Sequence, residues 1–167
     1  NDYLLDLNVS EIQPCDNPST VFLSVGNIGT DASTNNQNIV VVMDQNYDYV
    51  PNSISNIQNF PNPPEPINTL IDTIRVLKWT FPEGLAASDF LQLSFEIEAI
   101  NPDLLTCGTT DIIVQLTQET MINCTTEPQG FCEIDLVIEQ QQFTTPIAFP
   151  DFVFKYFLRR FPIYQLL

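Results

Sequence analysis

Leu91-Gln92-Leu93-Ser94-Phe95-Glu96-Ile97-Glu98 decides the fold class. Every second residue is apolar and those between are polar or acidic, the period of a strand with one buried and one wet face. The period recurs in Val21, Leu23 and Val25 against Phe22, Ser24 and Gly26, and in Ile112, Val114 and Leu116 against Ile113, Gln115 and Thr117. It recurs again in Ile134, Leu136 and Ile138 against Glu133, Asp135, Val137 and Glu139, with the charges outward. Residues 39–43 form a short continuous apolar run, and Trp79 shares its parity with Leu77 and Phe81, which marks it as a central core aromatic.

Turn chemistry separates these runs: Asn27-Ile28-Gly29-Thr30, residues 33–38, Pro51-Asn52-Ser53, and 61–66 with its four prolines. No segment sustains a 3.6-residue period, and Ser88-Asp89 holds at most one short turn. The expectation is an all-β chain with little helix, an immunoglobulin-like antiparallel β-sandwich of roughly seven to nine strands. The sandwich is expected to fill residues 1–142, and 143–167 to be a C-terminal strand or linker segment.

Composition narrows the function. Of 167 residues 44% are hydrophobic, enough for one buried core. Five cations stand against 21 carboxylates, a net charge of −16, which disfavours nucleic acid and anionic membrane surfaces. Histidine is absent, so no Ser-His-Asp or Cys-His nucleophile and no imidazole metal ligand can be built. Paired-carboxylate chemistry stays open in principle. No apolar run approaches bilayer length, so no membrane insertion is expected, and the start at Asn1 without a leader suits a mature or excised portion.

The four cysteines, Cys15, Cys107, Cys124 and Cys132, contain no Cys-x-x-Cys pair. They are expected to form disulfides, as in an oxidising compartment. Cys124 and Cys132 bracket a turn with Pro128 and Gly130, which leaves Cys15 with Cys107, a long loop closure that contributes about 4 kcal/mol. Four cysteines allow three connectivities, and spacing alone does not choose among them. Asp44-Gln45-Asn46-Tyr47-Asp48 crowds oxygen atoms into one turn, either a solvated turn or a calcium site with Asp44 and Asp48 as candidates; no other metal or cofactor is expected.

Residues 151–167 differ from the rest. Three cations against one carboxylate give them +2, whereas two cations against 20 carboxylates give residues 1–150 a charge of −18. Phe152, Phe154, Tyr156 and Phe157, with Arg159 and Arg160, are candidates for docking on a partner; a final strand or a linker fits the same residues.

The order Val21-x-Leu23-x-Val25-x-Asn27-x-Gly29, an apolar strand ending at Asp44, Tyr49-Val50-Pro51-Asn52-Ser53, Trp79 and then 91–97 resembles a conserved immunoglobulin-like repeat domain of unknown function in large bacterial surface proteins, including gliding adhesins. The resemblance covers roughly residues 3–118; the Asn- and Pro-rich stretch between Ser53 and Leu70 and the cysteine-bearing segment 110–142 depart from it. It implies a non-enzymatic structural or adhesive module, secreted or on the bacterial cell surface, in an adhesin stalk or filament, with no catalytic residues. Its partners are neighbouring domains or subunits, or surface glycans. Asp72-Thr73-Ile74 resembles an O-glycan acceptor triplet of such proteins, which makes Thr73 a modification candidate. The alternative is a carbohydrate-binding β-sandwich module, which would show exposed aromatics beside acids on one sheet face, whereas alternation sends aromatics such as Phe95 inward.

Intact mass of the chain from its natural source, taken before and after reduction, is expected to rise by the four hydrogens of two disulfides. No change in mass on reduction means free thiols and removes the oxidising-compartment argument.

Overall fold

The computed structural model describes residues 3–9, 12, 18–33, 37–60, 62–81, 84–100, 108–124 and 130–147, with backbone alone at 81, 119–124, 130–136 and 138. All regular structure among them is β: β1 (Tyr3–Val9), β2 (Ser19–Asn27), β3 (Gln37–Asp44), β4 (Tyr47–Tyr49), β5 (Ser55–Gln58), β6 (Ile67–Ile71), β7 (Ile74–Phe81), β8 (Phe90–Ala99), β9 (Gly108–Cys124) and β10 (Gly130–Ile147). No helix of the described residues is long and apolar enough to cross a membrane.

Two antiparallel sheets face each other. Sheet A runs β1-β2-β8-β4, with β5 also on β8, and sheet B runs β10-β9-β3-β7-β6. Alternation assigns the inner faces as expected: Val21, Leu23, Val25, Leu91, Leu93, Phe95 and Ile97 are at most 1% exposed. From sheet B, Ile39, Val41, Leu77, Ile112, Val114 and Leu116 meet them, equally closed to water. Trp79 is fully buried at the centre, its ring centroid 5.0 Å from Phe95 and 6.4 Å from Tyr49, edge-on to the latter.

The short motifs of the sequence have local physical causes. Asn27, wholly buried, donates from Nδ2 to the carbonyls of Asp31 (2.7 Å) and Leu85 (3.1 Å) and accepts the Gly29 N–H at Oδ1. One amide thus closes the turn after β2 and ties it to the segment before β8, where the Ser33 hydroxyl accepts the Leu85 N–H. Gly84 is required there, because a Cβ on it would stand 2.3 Å from the Ser33 carbonyl.

Tyr49-Val50-Pro51-Asn52-Ser53 bridges the break between β4 and β5 along β8. The Val50 N–H donates to the Glu96 carbonyl, and the Glu96 N–H donates to the Ser53 hydroxyl, which stands in for a missing backbone acceptor.

At one margin the sheets are clasped by charge. Arg75 on β7 pairs with Asp48 on β4 at 3.3 Å, and Asn68 on β6 donates to the other Asp48 oxygen at 2.7 Å. The partly buried geometry makes this stronger than an ordinary surface pair.

Three features depart from the sequence expectation. The Asn- and Pro-rich stretch after Ser53 holds two strands, β5 and β6, whose residues are all exposed and so carry no alternation. Strand β10 reaches Ile147, past the expected boundary at 142, with Pro146 on an edge strand where a missing N–H is tolerated. The register of β9 against β10 shifts between Val137 and Glu139, a bulge that ends the strict period two expected from 133 to 139.

Replacing Asn27 by Ala leaves two carbonyls and an N–H without their partner, and is expected to lower the unfolding free energy by about 2–3 kcal/mol in urea melts, whereas Thr30→Ala changes it little. Burial raises the phenol pKa values of Tyr47 and Tyr49 above 10.0, helped by Asp44 near Tyr47 and by Glu65 near Tyr49. Their contribution is fully present below 10.0 and is lost as pH rises through the raised folded values. Alkaline titration of stability is therefore expected to fall above pH 10.0 and to flatten in the Tyr47→Phe, Tyr49→Phe double variant.

Candidate functional site

The outer face of sheet A carries a shallow depression of about 180 Å³ lined by Asp6, Asn8, Phe22, Leu23, Ser24, Ile57 and Gln92. Cross-strand register builds it in rows. Asn8 on β1 faces Phe22 on β2, which faces Ser94 on β8; Asp6 faces Ser24, which faces Gln92, which faces Gln58 on β5. In the next row Leu4 faces Gly26 and Gly26 faces Phe90. Gly26 has no side chain because the Phe90 ring occupies that place: a Cβ there would stand 2.4 Å from the ring.

Three large apolar groups stand in water on this face. Leu4 is 46% exposed, Phe22 is 48% exposed and Ile57 is 49% exposed, and Ile57 sits at the register shift of β5 between Asn56 and Gln58. Beside them lie a carboxylate, two amides and a hydroxyl, donors and acceptors at the rim of an apolar floor. The depression has one carboxylate among its described lining, Asp6, whereas glycoside hydrolysis uses two.

In the sequence Phe22 is the outward partner of Val21 and Leu23, which by itself points to no role. Its outward parity was the available signal, but the polar companions come from β1, β5 and β8, far apart in sequence. Phe95 is inward and 1% exposed, as expected.

Asp44 and Asp48 flank the β3–β4 turn, but they do different work. Asp44 Oδ1 accepts the Asn46 N–H at 2.8 Å, and Asp48 is engaged by Arg75 and Asn68. A calcium ion would have to compete with the guanidinium for Asp48. Among the described residues no group of three or more His, Cys, Asp or Glu is placed to hold a metal ion.

Thr73 is exposed in the turn between β6 and β7, next to Asp72 at φ 52°. Cys15 and Cys107 lie outside the described residues. The backbone register sets Cys124 against Gly130 and Cys132 against Ile122, so this pair is staggered by two positions across the hairpin rather than directly opposed. Phe152, Phe154, Tyr156, Phe157, Arg159 and Arg160 lie outside the described residues.

No protein-family model matches the chain, and no curated protein matches it significantly. Several solved structures share its shape. The cohesin module of a Clostridium perfringens ATCC13124 family 33 glycoside hydrolase is 10% identical with a TM-score of 0.50, over 87% of this chain and 95% of that one. AvmM, which catalyses macrocyclization in alchivemycin A biosynthesis, is 9% identical with a TM-score of 0.52, over 87% and 88%. The collagen-binding domain of a Staphylococcus aureus adhesin is 11% identical with a TM-score of 0.47, over 85% and 96%. At such identities the likeness to the cohesin module and to AvmM is one of fold alone.

Proposed function

We propose that this chain is a non-enzymatic structural or adhesive module of a secreted, cell-surface bacterial protein, in an adhesin stalk or surface filament of the gliding type, and that the exterior of sheet A is its contact face. The observation that carries the contact face is the pair Phe22 and Ile57, held in water on a sheet whose other face is sealed into the core. Exposed apolar groups rimmed by polar ones are what a binding surface needs. The net charge of −16, the absence of histidine and four cysteines suited to disulfides support the non-catalytic, extracellular part. So does the order of motifs shared with surface-protein repeats. Partners are then neighbouring domains or subunits, and Thr73 is the position at which the exposed turn would carry a glycan.

One observation favours a second reading, a carbohydrate-binding module. A pyranose ring presents an apolar face and equatorial hydroxyls, and the depression offers the Phe22 ring beside Asp6, Asn8, Ser24 and Gln92. Sequence alternation argued against exposed aromatics, and Phe22 is the exception.

The two readings separate on a glycan array run beside surfaces coated with bacterial surface protein. Retention on sugars that drops roughly ten-fold or more in Phe22→Ala, with an unchanged melting curve, selects the carbohydrate module. Retention on the protein-coated surface alone, lost in the same variant, selects the adhesive module. Retention that Phe22→Ala leaves intact removes the sheet A face from both.

A further inference from the structure

The second uncovered surface lies on the opposite side of the sandwich. Strand β6 forms the margin of sheet B, and Ile67 (64%), Leu70 (50%) and Ile71 (51%) stand exposed on it, followed by Ile74 (40%) on β7. An apolar edge strand with neither charge nor proline in it is what soluble sandwiches avoid. The apolar area continues inward across the outer face. Thr69 faces Val76, Val76 faces Val42 and Val42 faces Ile113, all on the side away from Trp79 and Leu77. Thr69 is exposed, and Val76, Val42 and Ile113 are only half-buried. Carboxylates stand beside the patch at one end: Asp44 opposite Ile74, and Asp72 in the turn between Ile71 and Ile74.

We propose that the aromatic and cationic segment 151–167 of the same chain docks on this face, over Ile67, Ile71 and Ile74. Charge, exit point and reach all favour that occupant. The segment carries +2 and six aromatic residues, whereas residues 1–150 carry −18, so a second sandwich body is repelled from the patch and the segment is drawn to it. The exit point is right. Ile147 pairs with Gly108 at the end of sheet B that also holds Asp44 and the Asp72–Thr73 turn. The reach is ample, because crossing from β10 to β6 spans four strand spacings, about 19 Å, while twenty residues from 148 onward extend to roughly 65 Å. Docking would bury two apolar surfaces at once and set Lys155, Arg159 and Arg160 near Asp44 and Asp72. This inference is independent of the contact face on sheet A.

Hydrogen exchange of the full chain, followed peptide by peptide, tests it. Peptides from 151–167 are expected to exchange roughly ten-fold or more slowly than an unstructured peptide, at a rate independent of protein concentration. Ile71→Lys with Ile74→Lys is expected to release them to the free rate. Both positions are exposed, so β2 and β8 should keep their protection, and Phe22→Ala on the other face should change nothing in the segment. Free exchange of 151–167 in the unsubstituted chain overturns the proposal. So does protection that grows with concentration, which assigns the segment to a neighbouring copy, and so does protection that survives the two lysines, which puts it elsewhere on the body.

Discussion

The contact of the Trp79 indole with Phe95 and Tyr49 is what the rest of the sandwich is arranged around. It is where sheet B, through β7, touches sheet A, through β8 and β4, and it fills the space between them with rings 5.0 to 6.4 Å apart. Large aromatic groups at that spacing leave no room for a shift of either sheet, because interiors tolerate neither voids nor overlap. The surrounding Val, Ile and Leu positions inherit their phase from it: once Trp79 points inward, Leu77 must, and Lys78 and Val76 must not.

The margins depend on polar contacts instead. Asn27 knots the two loops at one end, Ser53 fills a gap in the β8 ladder, and Asp48 with Arg75 and Asn68 holds the sheets together at the side. Each supplies a partner to a backbone or side-chain group that the sheets alone would leave unpaired. Two of the short polar motifs of the sequence, Asn27-x-Gly29 and Tyr49 to Ser53, coincide with two of these places, so each has a structural reason that does not require a ligand.

How much could be read from residues alone followed burial. Strands with one wet face announced themselves, and the inward positions of β2, β8 and the first half of β9 came out as the alternation required. Strands β5 and β6 did not, since Ser55-Asn56-Ile57-Gln58 and Ile67-Asn68-Thr69-Leu70-Ile71 are exposed throughout and have no buried parity to detect. The bulge between Val137 and Glu139 is invisible to a period-two reading. The depression on sheet A was hidden for another reason: Asp6, Phe22, Ile57 and Gln92 come from four strands, and only register brings them together. Asp48 shows the converse. Its neighbours in sequence suggested a cation ligand, and the group that meets its carboxylate is Arg75, 27 residues away, across the gap between sheets.

Trp79 is the single tryptophan of the chain, fully enclosed, with Tyr49 edge-on to it. The molecule therefore carries its own optical gauge at the seam between its sheets. Ultraviolet light absorbed by tyrosine has a neighbouring indole to pass to, and the colour of that indole's emission depends on whether water has reached it. Separation of the sheets would redden the emission and weaken the transfer together, whereas fraying at β6 or β1 would leave both untouched.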